Sequence, residues 1–203
     1  MLRSVVYISV FFVTLSPGLP DSNSDMVKFL REYLSVRYAK KSFDQFIYVA
    51  AKKQVLYVIE ENNIEAQYSI STARKGLGNS EGSFQTPTGL HQIVEKIGAD
   101  VEIFGIIKQK VPTGEMVSPI LDKKATNQDL ITTRILHLSG MEKGLNKGEG
   151  VDSYKRGIFI HGTHEEGLIG TPASKGCIRM KNTEVIDLFE RVEVGTFVVI
   201  LNN

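Results

Sequence analysis

The sequence predicts a mainly β domain with short helices, an α+β fold, and three observations support this. Short β-branched and aromatic runs recur from Phe46 onward, clusters of Gly, Pro and Asn punctuate them, and only two stretches carry a helical apolar period. With 203 residues and 42% hydrophobic content, the chain is long enough for one packed domain and a short appendage. Its 24 basic and 23 acidic residues nearly cancel, so bulk charge gives no reason to expect nucleic acid or an anionic membrane surface as partner.

At the N-terminus, Arg3 precedes an apolar run from Val5 to Leu15 broken only by Ser9 and Thr14, and Ser16-Pro17-Gly18 follows. A positive charge, an apolar core and a Pro/Gly break in that order form an export signal. The uncharged stretch from Ser4 to Pro20 is near the lower limit of the ~17–25 residues that cross a bilayer, which favours a cleaved peptide over a retained anchor. Residues 1–20 are therefore read as a signal peptide or N-terminal anchor, and the protein as exported to the periplasm or cell envelope. Membrane contact is expected only through that segment.

Residues 21–45 follow as a helical segment. Met26, Phe29, Leu30, Tyr33 and Leu34 fall at helical spacing, with Ser24 or Asp25 as N-cap and docking on the next domain as the expected role. From residue 46 to 203 the pattern is that of one domain. Phe46 to Val49, Val55 to Ile59 and Ile64 to Ile70 read as a consecutively paired antiparallel meander, with turns at Lys52 to Gln54 and Glu60 to Asn63. A long Gly/Ser/Thr/Pro loop from Ala73 closes at Thr86-Pro87-Thr88-Gly89 on a strand from Leu90 to Val94. Gly140 to Gly150 reads as a flexible flap before a buried strand at Gly157 to Ile160. Asn182-Thr183 is expected to cap a helix carrying Val185, Ile186, Leu188 and Phe189, and Phe197 to Leu201 to form the last strand.

Chemistry concentrates near the end. His161 ends the buried-strand run, and fifteen residues separate it from Cys177, the only cysteine. An oxidising compartment favours paired cysteines, so a lone thiol in an exported chain suggests a task for it. A free thiol of pKa about 8.5 is mostly protonated at neutral pH, and a neighbouring imidazole can take its proton. Gly162 and Gly176 permit tight backbone turns, and the amides near Gly176-Cys177 are candidates to face a developing oxyanion. A metal site built on His161, His164 and Cys177 lacks a fourth ligand, so neither metal nor cofactor is expected. His91 and His137 are isolated and read as strand or surface histidines.

The run from His161-Gly162-Thr163 to Ser174-Lys175-Gly176-Cys177-Ile178-Arg179-Met180 resembles the signature of the YkuD-type L,D-transpeptidases, a His, a spacer of this length, then Ser/Thr-x-Gly-Cys. The Pro87-Thr88-Gly89 segment, the meander from Val55 to Ile70 and the stretch from Val194 to Ile200 are also similar to that family, so the resemblance spans about Phe46 to Leu201. It implies a β-rich catalytic domain over residues 46–203. Cys177 would attack the carbonyl after the third residue of a peptidoglycan tetrapeptide stem, D-alanine would leave, and an amine of diaminopimelate or of an envelope lipoprotein would resolve the acyl-enzyme. His161 would serve as base and then acid, oriented by the Gly162 carbonyl.

Lys175 departs from the pattern, since many members have His there. Two roles stay open for it, a cation beside the thiol or a backbone amide only. Arg179 likewise admits two readings, a fork for a substrate carboxylate or a structural salt bridge, and Ser174 is read as positioning the loop and binding substrate. Two alternatives to transpeptidation use the same residues: a cell-wall hydrolase that gives the acyl group to water, and an inert wall-binding module.

Overall fold

The computed structural model describes residues 22–126 and 128–203, so the export-signal expectation lies outside the described residues. Ten strands and two α-helices follow in chain order: α1 (Ser22–Arg37), β1 (Gln45–Ala50), β2 (Val55–Glu60), β3 (Asn63–Ser69), β4 (Gly89–Ile97), β5 (Gly105–Lys108), β6 (Val111–Met116), β7 (Ile131–Gly140), β8 (Phe159–Thr163), β9 (Ile178–Met180), α2 (Asn182–Arg191) and β10 (Phe197–Leu201). The first three strands form the expected antiparallel meander, and β1 then pairs in parallel with β10, which joins the two ends of the domain. The sheet continues through β10, β4 and β7 to β8 and β9, with the β5–β6 hairpin branching from the start of β7.

The two ends of this path meet. Just beyond β3, Ser71 exchanges backbone hydrogen bonds with Arg179 of β9 at 2.9 Å in each direction. The sheet is thereby rolled on itself. Its interior is apolar because alternate residues of β1, β2, β4, β7, β8, β9 and β10 point inward: Ile47, Val58, Ile93, Leu136, Ile160, Ile178 and Met180 are essentially inaccessible to water. Val185, Leu188 and Phe189 of α2 join that core from one side.

A second apolar layer covers the outer face of β1, β2, β10 and β4. There α1 inserts Val27, Leu30 and Leu34 against Phe46, Tyr48, Ile59, Leu90 and Val199. Full burial of a leucine is worth about 1.5–3 kcal/mol, enough to fix a short helix whose intrinsic stability is marginal. Met26 and Tyr33 are partly buried as the predicted stripe requires, but Phe29 faces solvent and Val27 replaces it. Ser24 and Asp25 lie within the helix, not at its cap.

Two other expectations are corrected. Asn182 is the first residue of α2 and Lys181 occupies the cap position, because the Asn182 side chain is engaged by β7 and β8. The stretch from Gly140 to Gly150 is no flap over a cleft. Buried Asn146 donates to Thr88 O and Leu90 O at 3.0 Å, Glu142 accepts from the Leu90 amide, and the turn is pinned to β4.

Candidate active site

Cys177 and His161 come together through the parallel pairing of β8 with β9. The register sets Ile160 beside Ile178 and His161 beside Arg179. Ile160 and Ile178 point into the core, so their neighbours His161, Arg179 and the preceding Cys177 share the opposite face. The alternation that builds the core therefore also collects the reactive groups. Pairing of Arg179 with Ser71 on its other edge leaves β9 held on both sides.

His161 is 1% exposed, and its Nδ1 lies 2.7 Å from the carbonyl oxygen of Gly162. A carbonyl only accepts, so Nδ1 carries the proton and Nε2 of the neutral ring is left as an acceptor. Burial lowers the His161 pKa to about 4, with the Asp129 charge and the Gly162 carbonyl opposing that fall. Cys177 is half-buried, and its Sγ donates to Gly157 O at 3.3 Å. Burial raises the thiol to about 12, against the Phe159 amide, which lowers it. The resting pair is thus neutral thiol and neutral imidazole, and no hydrogen bond joins the two among the described residues.

Gly162 has no room for a side chain. A Cβ there would sit 2.6 Å from Asn182 Oδ1 and 2.7 Å from Thr132 O. Its carbonyl is thereby held for His161 by packing from β7 and α2. Asn182 is central to this packing: it accepts from Thr132 and Thr133 hydroxyls and donates to Thr163 O and Glu166 Oε1, each at 2.7 Å or less.

Gly176 adopts φ +137, a backbone conformation that L side chains rarely reach. The Ser174 hydroxyl donates to Cys177 O at 2.6 Å and receives the Gly176 amide at 3.2 Å, so it fixes the turn that presents the thiol. The Ser174 amide and carbonyl bond Thr72 and Arg74 across the roll. Lys175 is exposed at the tip of this turn and forms no ion pair among the described residues.

Arg179 is 3% exposed and already has two carboxylate partners. Its Nη1 meets Glu165 at 2.7 Å and its Nη2 meets Asp129. Of the two sequence readings, the structure supplies the salt bridge. Glu165 also accepts from the Thr126 amide, which ties the loop before β7 to the site. His164 is directed to this loop, with Nε2 3.4 Å from Thr126 Oγ1. No metal-binding cluster of His, Cys, Asp and Glu occurs among the described residues.

Two cavities meet at Lys175, two residues before Cys177. One of about 460 Å³ is lined by Arg74, Lys75, Asp129, Ser174, Lys175 and Arg179, among others. The second, of about 400 Å³, lies at the entry of β8 and includes Phe84, Lys155, Arg156, Ile158 and Lys175. Arg156 escapes sequence reading altogether. Its guanidinium reaches Gly78 O, Asn79 O and Gln85 O, at 3.3, 2.9 and 2.6 Å, and clamps the Gly-rich loop beside the thiol. Asp129 and Glu165 are equally invisible in the sequence, since isolated acids carry no motif.

A rolled β-sheet presenting a thiol beside a carbonyl-oriented imidazole defines a class of acyl-transfer folds. The model of the L,D-transpeptidase catalytic domain, YkuD, matches residues 44–200, and the chain belongs to that family. It is 27% identical over 160 residues to the putative L,D-transpeptidase YqjB of Bacillus subtilis, covering 79% of this chain and 73% of that protein. Over a shorter stretch of 46 residues, 23% of this chain and 28% of the relative, it is 54% identical to the putative L,D-transpeptidase YkuD of the same organism. Among solved structures, Bd1075 of Bdellovibrio bacteriovorus superposes with a TM-score of 0.50 at 17% identity over 79% of this chain and 48% of that one. An L,D-transpeptidase from Mycobacterium smegmatis matches with a TM-score of 0.48 at 14% identity, over 78% of this chain and 58% of that one. The chain thus spans about half of these two solved chains, and the likeness concerns the fold.

Proposed function

We propose that this protein is an exported, cysteine-dependent peptidoglycan L,D-transpeptidase. The observation that carries the reading is the shared face on which the β8–β9 register sets both Cys177 and a His161 whose Nδ1 is held by Gly162. In the first half-reaction the thiol leaves Gly157 O and gives its proton to Nε2 of His161. A bond forms between Sγ and the carbonyl carbon of the third stem residue. The Cys177 amide stabilises the oxyanion, while the Gly176 amide remains with Ser174. The carbon–nitrogen bond then breaks, and the imidazolium hands its proton to departing D-alanine.

In the second half-reaction an acceptor amine attacks the thioester. His161 takes a proton from that amine and returns it to Sγ as the carbon–sulfur bond breaks. The acceptor is an amine of a second stem or of an envelope lipoprotein, and the apolar segment behind Arg3 delivers the protein to that compartment.

Incubation of the purified protein with disaccharide-tetrapeptide, followed by mass analysis of the products, tests the proposal. Crosslinked dimers with loss of D-alanine support it. Shortened monomers alone make the protein a hydrolase, and unchanged tetrapeptide makes it a binding module.

A further inference from the structure

Opposite the His161-Gly162 dipeptide, β7 departs from regular strand geometry. Thr132 pairs with Gly162 and Ile135 with His161, so Thr133 and Arg134 are two extra residues on the β7 side. On the other edge Thr132 pairs with Ile106 of β5 and Ile135 with Ile97 of β4, which leaves the same two residues outside both ladders. Within this bulge Thr133 has φ +67. Glycine or asparagine takes that left-handed conformation readily, whereas for a β-branched side chain it is a steric outlier. Such strain persists only where the surroundings enforce it, and it collects at functional positions.

The enforcement comes from residues 98–104. The Phe104 amide donates to Thr133 Oγ1 at 2.9 Å, and Arg134 Nη1 bridges Thr133 O and Val101 O at 2.8 and 2.6 Å. Gly98 approaches so closely that a Cβ there would lie 2.8 Å from Thr133 O. The result of the strain is a convergence that a regular strand forbids. Successive side chains of a strand point to opposite faces, yet the Thr132 and Thr133 hydroxyls both donate to Oδ1 of Asn182, at 2.6 and 2.5 Å. A bulge re-aims one of the two neighbours and so lets them meet on one oxygen. The fully buried Asn182 amide is thereby fixed at both ends, because its Nδ2 donates to Thr163 O and Glu166 Oε1 at 2.7 Å each. The same Oδ1 packs on Gly162, whose carbonyl holds Nδ1 of His161.

Resting on the proposed transpeptidase reading, we infer that Thr133 is a positioning residue for His161. Its hydroxyl, aimed by the bulge, fixes Asn182. Asn182 and Thr132 seat Gly162, and the seated carbonyl keeps the imidazole in the tautomer whose Nε2 accepts the thiol proton. Thr133 acts through these intermediaries and not on the reacting atoms. Loss of its hydroxyl should therefore slow the proton transfers and leave donor binding alone.

The test compares wild type with T133V, T133S and T133G. T133V keeps the shape and removes the hydroxyl, so kcat for acylation by a tetrapeptide donor should fall at least tenfold with KM within twofold. T133S restores the hydroxyl and should stay within threefold of wild type. T133G reaches φ +67 without strain but has no hydroxyl, so it should be as slow as T133V even where its melting temperature is unchanged. A second readout needs no turnover. Nitrogen-15 shifts of the His161 ring, assigned against His161→Gln, should show the Nδ1–H tautomer alone in wild type and T133S, and both tautomers in T133V and T133G. Wild-type kcat in T133V or T133G, T133S as slow as T133V, or a single Nδ1–H tautomer in all variants overturns the inference while leaving the transpeptidase reading intact. Should T133V fail to fold, T133G carries the same expectations. If wild type itself forms no acyl-enzyme, the transpeptidase reading falls, and the tautomer comparison by itself upholds or overturns the positioning role.

Discussion

Replacing Gly162 with alanine should damage both stability and turnover, and the structure sets the scale. The new methyl carbon would lie 2.6 Å from Asn182 Oδ1 and 2.7 Å from the Thr132 carbonyl oxygen. The Thr132 oxygen is backbone in β7 and cannot rotate away, so either β8 shifts or Asn182 moves. Overpacking of this kind costs roughly 1–3 kcal/mol. Displacing Asn182 also breaks one or two of its buried hydrogen bonds, at about 1 kcal/mol each. The sum, about 2–5 kcal/mol, corresponds to a fall in Tm on the order of 4–20 °C for a domain of this size. Because the Gly162 carbonyl orients His161, kcat should drop at least tenfold, about 1.4 kcal/mol, with KM little changed. Thermal melting and acylation kinetics on the same preparation read both effects. A variant within 2 °C of wild type and fully active would refute the claim that packing at Gly162 sets the imidazole.

Ser174→Ala removes the hydroxyl shared by the Gly176 amide and Cys177 O, and should cost about 1–2 kcal/mol in urea unfolding while slowing acylation more than binding. Arg179→Met leaves Glu165 and Asp129 without their cation, an expected loss of roughly 3–5 kcal/mol, so the variant should be destabilised or insoluble; wild-type stability would show the pair to be dispensable. His91 and His161 are each held neutral by burial, with pKa lowered to about 4. Both carry the ordinary value of about 6.5 when unfolded, so the unfolded chain binds more protons below that pH and stability falls as pH drops from 6.5 toward 4. The expected loss by pH 4.5 is on the order of 2 kcal/mol per histidine, and His91→Gln should flatten its share.

The parts of the fold that were legible are those where one local rule suffices. The meander from Phe46 to Ile70 and the last strand announce themselves by β-branched runs, and the observed strands agree closely. The parallel closure of β1 on β10 and the Ser71–Arg179 pairing that rolls the sheet are long-range contacts that leave no local trace. The polar run from Gly140 to Gly150 looked free because composition cannot reveal that Asn146 spends its amide on two β4 carbonyls. In the site, motif spacing located Cys177, His161 and the two glycines. The charges around them come from Asp129, Arg156 and Glu165, which the sequence scatters through unpatterned loops and the fold gathers. Arg179 shows the limit in the other direction. Its place two residues past Cys177 left a substrate fork and a structural salt bridge both open, and only the fold shows its guanidinium buried between two acids.

The most direct measurement is intact-mass and peptide-mass analysis of the protein mixed with a tetrapeptide donor and no acceptor amine. The account predicts an adduct equal to the donor less D-alanine, confined to the peptide containing Cys177 and missing in Cys177→Ala. An adduct on another residue, or dimer formation by Cys177→Ala at the wild-type rate, would contradict it.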